Sequence, residues 1–420
     1  MDLQKTQAGL FLLVIVPLTI VFTLNSCKNS SEEQAVVNND SAFEKGSFGY
    51  DRVFLKENSV DYIELFNLSG KSKLLISPAF QGRVMTSTAD GDSGLSFGWL
   101  NYKLLVSGQK NEQFNPVGGE ERLWMGPEGG QFSIYFRHKD SFLFKNWKVP
   151  AFLDTEPFDV LSRDSNSVTL GREANFLNYR GTVFDVNITR KVRLMDAPEL
   201  GQVLATEIPQ SVIFTAYRTE NTLTNKGDSD WNKKNGLLSF WLLGMFTPSP
   251  ETFVLIPFRQ QKNSRNKITS NYFGAVPAER LLLQDSSLVF LCDGNFRSKI
   301  GIDPAIAKPI AAAYDFTKNT LTIVIPEIHE KEPYVNNKWE FQKDPFKGDV
   351  INAYNDGPLA DGSKMGPFFE IESSSPALEL KTGESGTYSQ VTCHFQGSYD
   401  ELQKLTKQLT GIDISAIRKK

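Results

Sequence analysis

The 420-residue chain sets 45 Lys and Arg against 49 Asp and Glu, a formal net charge of −4, with 40% hydrophobic and 22% charged residues. That is globular composition, and it supplies no basic face to replace the counterions of a nucleic acid, so it argues against a nucleic-acid partner. Three Cys and three His argue against a Cys/His zinc centre, and no repeat period runs through the chain.

The N-terminus bears on the compartment. Lys5 precedes an uncharged apolar run from Leu10 to Leu24 that contains Pro17 and stops at Leu24-Asn25-Ser26-Cys27. A short apolar run closed by a small residue and then Cys has the form of a lipoprotein signal. It predicts a signal peptide over 1–26, cleavage before Cys27, and acyl chains on Cys27 as a membrane anchor. The alternative is an uncleaved anchor helix; both place the bulk of the protein in the cell envelope, at the outer membrane, periplasmic or surface-exposed. Residues 27–46 are polar and small, which predicts a flexible tether.

Beyond the tether, residues 47–420 are expected to form a single domain. Nearly every apolar segment between residues 50 and 395 has period 2. In chain order the predicted strands are Asp61–Leu68, Lys73–Pro78, Arg83–Thr88, Phe132–Phe136, Thr182–Leu194, Val212–Asn225, Leu237–Leu243, Thr252–Pro257, Leu288–Cys292, Ile310–Phe316, Leu321–Ile325, Phe368–Glu372 and Thr387–Phe395. Along Thr182–Leu194 the even positions are Phe184, Val186, Ile188, Arg190, Val192 and Leu194, one buried face broken only by Arg190. Cys292 and Cys393 sit in such runs and are expected as free buried thiols. One helix is predicted, over 398–410: Ser398 and Glu401 form a capping box, Leu402, Leu405 and Leu409 share a face, and Gly411 ends it. A dozen strands with one terminal helix and no linker predict an all-β fold, a large antiparallel β-supersandwich.

Several segments carry candidate chemistry. Asn115–Phe132 packs Glu120, Arg122, Trp124 and Glu128 among glycines and prolines. Carboxylates and Arg suit sugar hydroxyls and an indole suits the C–H face of a ring; the competing account is a structural loop with Trp124 plugged into the core. No phosphate-loop Lys-Ser/Thr is present, and no cofactor is expected. Arg190 needs a partner, either a carboxylate in a cleft or a local bulge that turns it out. In Phe368–Glu372, alternation puts Glu370 and Glu372 on one face and Phe369 and Ile371 on the other, so the two acids either share a cleft or line a solvated edge. The stretch Val350–Gly366 is expected as a polar loop from which Tyr354, Asn355 and Asp356 overhang the Glu370 strand. Its oxygens do not follow the EF-hand spacing, and no metal is expected. Of the histidines, His329 between Glu327 and Glu330 is the first choice for an acid; His394 is expected to face solvent or a satisfied hydrogen bond.

Two stretches resemble the galactose mutarotase-like (aldose 1-epimerase-like) superfamily. One is Thr222-Leu223-Thr224-Asn225, which ends a long strand; the other is Gly366–Glu372 followed by Leu380-Lys381-Thr382-Gly383-Glu384-Ser385 and the strand Thr387–Phe395. Leu75–Met85 is similar to an early strand–Gly–strand element of that fold. The chain is most similar to uncharacterised Bacteroidota lipoproteins of this superfamily. The resemblance implies the supersandwich, a general base at Glu370 and a cleft position for Arg83. The superfamily's His after Thr-Asn is Lys226 here, and that of its His-Gly-Gly segment is Val117. Three functions remain open: a carbohydrate-active envelope lipoprotein with a sugar cleft around Glu370, epimerase-like or another sugar enzyme; a non-catalytic glycan-binding lipoprotein; or, if aromatic side chains fill the cleft, a structural or accessory lipoprotein with no ligand.

Overall fold

Ser47 starts the first element by capping a helix that the period-2 pattern does not announce: α1 (Phe48–Glu57). Its Ser47 side chain accepts the Tyr50 N–H, and Phe48, Phe54 and Leu55 are buried. The computed structural model describes residues 42–359 and 361–417. The signal segment and Cys27 lie outside the described residues. The end of the predicted tether belongs to the fold: a Cβ on Gly49 would meet the Phe43 ring at 2.6 Å.

Strands then dominate. β1 (Ile63–Phe66), β2 (Lys73–Ser77) and β3 (Arg83–Thr88) form a three-stranded antiparallel meander. After the short α2 (Tyr102–Ser107) comes β4 (Arg122–Gly126), and after α3 (Ala151–Asp154) come β5 (Asp159–Arg163), β6 (Ser167–Leu177) and β7 (Val183–Leu194). Helix α4 (Ala197–Leu204) leads to β8 (Ile213–Asn225), β9 (Ser239–Phe246) and β10 (Thr252–Pro257). The remaining strands are β11 (Ile268–Thr269), β12 (Leu281–Leu283), β13 (Ser287–Leu291), β14 (Ser298–Ile302), β15 (Ala311–Asp315), β16 (Thr320–Pro326), β17 (Ile351–Asn355), β18 (Phe369–Ser374) and β19 (Ser385–Gln396), followed by α5 (Tyr399–Thr410).

Ten strands form one antiparallel sheet in the order β12-β13-β10-β15-β16-β19-β8-β7-β6-β5. Six form another, β11-β14-β17-β18-β9-β4. Alternating residues of each sheet meet between them. Ile300 and Ile302 of β14, Ala353 of β17 and Phe369 and Ile371 of β18 pack on Val254, Ile256 and Phe290 of the larger sheet. The meander adds Leu65, Leu74 and Ile76 to a core shared with Phe184, Val186 and Ile188 of β7. The other face of the large sheet is covered by α4 and α5, through Leu200, Leu402 and Leu405 on Leu321, Ile323, Cys393 and Phe395. Helix α5 has the capping box of Ser398 and Glu401 and ends at left-handed Gly411. The all-β antiparallel architecture with a short C-terminal helix is as the period-2 pattern reads.

Beyond the unexpected helices α1–α4 and strands β5, β6, β11, β12 and β14, three segments differ from their expected form. Phe132–Phe136 forms no strand: Ser133 N–H turns back to the Gly130 carbonyl and Tyr135 N–H to the Ser133 hydroxyl, and apolar side chains there fill the core from a loop. Conversely, Asn115–Phe132 contains β4 and Val350–Gly366 contains β17. Both are strands of the small sheet, paired β4 to β9 and β17 to β18, and their polar residues hid the alternation. Cys292 and Cys393 are free and buried.

A candidate acid–base site on the outer face of the small sheet

Phe369 and Ile371 turn into the core, so Glu370 and Glu372 turn to the opposite, outer face of the small sheet. Register gathers other groups on that face. Glu372 lies beside Leu243, which lies beside Arg122; Glu370 lies beside Tyr354, which lies beside Lys299. Arg122 Nη2 donates to Glu370 Oε1 at 2.9 Å. Glu372 Oε2 accepts from Lys299 Nζ at 2.8 Å and from Trp241 Nε1 at 2.9 Å. The Arg122 guanidinium sits 4.2 Å from the Trp124 ring centroid and 5.3 Å from that of Phe114. Trp124 meets Trp241 edge-on at 5.6 Å.

This cluster is under-satisfied. Arg122 Nε and Nη1, Arg83 Nε, Trp124 Nε1 and Glu372 Oε1 are buried without a hydrogen-bond partner. Other partnerless buried atoms are scattered through the described residues, as at Thr219, but here five gather around one ion pair, which calls for an explanation. The electrostatics are also tuned. Burial pushes the Glu370 carboxyl up to about 7 against the pull of Arg122, with Glu372 adding repulsion. Glu128 is likewise pushed up to about 7 by burial, opposed by Lys299 and the nearby Trp339 and Trp147 indoles. Burial works against the Lys299 ammonium, yet Glu372, Glu128 and Glu370 hold it above its ordinary value. Three carboxyls therefore share one lysine.

The other predicted residues divide. Arg83 is buried next to the cluster: burial first, then Arg122, lowers it to about 9, and its Nη1 donates to the Gly118 carbonyl at 2.7 Å. Tyr354 donates to Asp356 at 2.9 Å and accepts from Arg297, and Asp356 also takes the Gly366 N–H. Asn355 is spent on backbone, accepting Gly294 N–H and donating to the Phe296 carbonyl. Glu120 lies away from the cluster, bonded to His394 Nε2 and Ser87 Oγ at 2.8 Å each. His394 is thus the satisfied alternative, completed by Thr322 and stacked on Phe97. Arg190 keeps its place on the buried face and finds its partner there: Glu121 at 2.9 Å, with Asn221 and the Gly82 carbonyl. His329 pairs with Glu327 at 3.0 Å on the surface, about half exposed, and none of its contacts reaches Glu370. An acid role for His329 beside Glu370 has no geometric support, because its loop leaves β16 in the large sheet, whereas Glu370 lies on the small one.

Lys299, Trp241, Trp147 and Trp339 were not expected at the site. Lys299 stands between Ser298 and Ile300 on a short strand, which in sequence reads as a solvent position. Trp241 lies in an all-apolar run with no polar marker. A separate open groove of about 470 Å3 is lined by Tyr62, Ile63, Glu64, Phe66, Arg163, Asp164 and Ser165. It holds none of the predicted residues, and Glu64 is already engaged by Arg52 and Lys73. Among the described residues no group of His, Cys, Asp and Glu is arranged to hold a metal, and no helix is long and apolar enough to cross a membrane.

The site is thus a face of stacked antiparallel sheets on which carboxyls, a lysine and an arginine meet a wall of indoles. The chain belongs to a family of unknown function (DUF6786), whose model matches residues 46–420. No curated protein matches it. Among solved structures it is similar to a candidate aldose 1-epimerase from Escherichia coli K12, at 11% identity over 80% of this chain and 99% of that one, TM-score 0.48. A galactose mutarotase-like protein from Lactobacillus casei gives 11%, 80%, 100% and 0.46, and a galactose mutarotase related enzyme from Lactobacillus acidophilus gives 10%, 81%, 99% and 0.44. These are likenesses of fold.

Proposed function

We propose that the outer face of the small sheet binds a saccharide and that Glu370 works there as a proton-transfer group, in a protein held to the cell envelope by a lipid on Cys27. The observation that carries this reading is the set of orphaned donors and acceptors around the Arg122–Glu370 pair, bordered by indole rings. Hydroxyls are both donors and acceptors and match such a mixed set, and the C–H face of a pyranose matches an indole.

Interconverting the anomers of a free sugar needs a base for the anomeric O–H and an acid for the ring oxygen. Glu370 takes the hydroxyl proton, Glu128 gives its proton to the ring oxygen as the C1–O bond breaks, and the open aldehyde recloses on its other face with both transfers reversed. Both carboxyls titrate at about 7, so each form is populated at neutral pH. Lys299 and Arg122 offset the charge that forms on them. Calorimetry and polarimetry over a panel of aldoses test this: binding with accelerated mutarotation is expected, with turnover lost in Glu370→Gln. A panel with no binder would overturn the reading.

A second reading, saccharide binding without turnover, is favoured by the 6% exposure of Glu370 and its bond to Arg122. Binding in the panel with no rate change would select it.

A further inference from the structure

From the site, aromatic rings run outward to the surface. Trp241 meets Trp124, Trp124 meets Trp147 at 6.3 Å, and Trp147 stacks on Phe144 at 5.9 Å and on Trp339 at 5.8 Å. Trp339 continues through Phe136 and Phe142 to Phe341, each step 5.2–5.3 Å. Exposure rises from Trp124 (3%) and Trp147 (6%) to Phe144 (65%) on one branch, while on the other the buried Phe136 (3%) joins Trp339 to the exposed Phe341 (70%). Single exposed apolar residues are ordinary, but a patch joined ring to ring with a charged site is not.

The platform is built rather than frayed. The segment carrying Trp339 and Phe341 is clamped to the one carrying Glu128: Asn337 Oδ1 accepts Glu128 N–H at 2.8 Å, Gln131 Nε2 donates to the Gln342 carbonyl at 2.9 Å, and Gln342 N–H donates to Gln131 Oε1 at 3.0 Å. This explains the paired glycines after Glu128. A Cβ on Gly129 would strike the Lys338 carbonyl, and one on Gly130 would meet the Gln342 side chain at 2.6 Å. The amides of Asn336, Asn337 and Gln342 hold this segment in place through hydrogen bonds to backbone, and the buried Trp147 indole lies against Glu128.

We propose that the ligand is an oligosaccharide: one unit occupies the Glu370 site and the following units lie along Trp339, Phe144 and Phe341, which Trp147 backs from beneath. This rests on the saccharide reading of the site. Repeated pyranose faces stack on repeated exposed rings. A protein partner is disfavoured, because the platform is continuous with a polar cluster that only a small polar ligand satisfies.

The test uses the protein with ladders of neutral gluco-, manno-, galacto- and xylo-oligosaccharides, one to six units long, by calorimetry. Affinity in at least one ladder is expected to rise about fivefold or more for each of the first added units, the size of one aromatic contact. Phe144→Ala and Phe341→Ala, both at the surface and safe for folding, should flatten that rise. Binding that does not depend on length, or a rise that both variants keep, would overturn the oligosaccharide assignment and leave the saccharide reading standing. No binding at any length would overturn both.

Discussion

Two buried arginines show how differently this fold treats charge. On β7, Arg190 is fully buried, and each of its nitrogens has a partner: the Gly82 carbonyl, Asn221 and Glu121. Glu121 is completed in turn by Gln390 and Thr392. On β4, Arg122 is almost as buried, yet two of its three nitrogens have no partner and its carboxylate, Glu370, is pushed up to about 7 by burial. The first pair joins the meander and β4 to the large sheet and is saturated. The second lies on the outer face of the small sheet and is left incomplete, with burial raising its carboxyl. Saturation is what a structural pair shows; incompleteness beside a raised carboxyl is what the proposed site rests on.

The largest expected effect breaks the saturated pair. Glu121→Ala leaves the Arg190 charge buried and unpaired and should cost about 3–5 kcal/mol in urea unfolding, whereas Arg190→Met with Glu121→Leu should recover much of that loss. Were Glu121→Ala neutral, the structural role of the pair would be lost.

Glu370→Gln should behave in the opposite way. At pH 6 the carboxyl is already mostly neutral, so the amide should change stability by less than about 1 kcal/mol, while turnover on a responsive sugar falls by about a hundredfold or more. A collapse in stability with activity retained would reverse the two assignments.

The pH dependence sharpens the contrast. Glu370 and Glu128 are raised from 4.5 to about 7 in the folded state. The stability they contribute is therefore complete below about pH 4.5 and is lost as pH rises through about 7. Urea midpoints of the wild type against Glu128→Gln/Glu370→Gln between pH 5 and 8 should show that slope shrinking in the double variant. An unchanged slope would mean that neither carboxyl is raised. The smallest effect lies outside both regions: Ser398→Ala removes the cap of α5 and should cost about 1 kcal/mol, with no change in ligand affinity.

Period 2 was enough to announce most of the strands, because a strand with one face in a core must alternate whatever it packs against. The same rule separated Glu370 and Glu372 from Phe369 and Ile371, and put Arg190 on a buried face before its partner was known. It failed at α1, whose aromatics give no clear stripe, at Phe132–Phe136, which is a loop, at β5, β6, β11, β12 and β14, and at β4 and β17. In those two strands the outward residues belong to a buried site and are large or charged, so the segments looked like loops.

What the sequence determined by itself is local: the strands, the capped helix α5, and the side of β18 on which its two acids stand. Only the tertiary structure decided which charges meet. Glu121 and Arg190 lie 69 residues apart in the chain, and Arg122 and Glu370 lie 248 apart. Alternation tells which way a side chain points but carries no information about the sheet order that sets its neighbours. That order, β18-β9-β4 in the small sheet and β8-β7-β6 in the large one, gave Arg190 a saturated partner and left Arg122 half satisfied beside a titrating carboxyl.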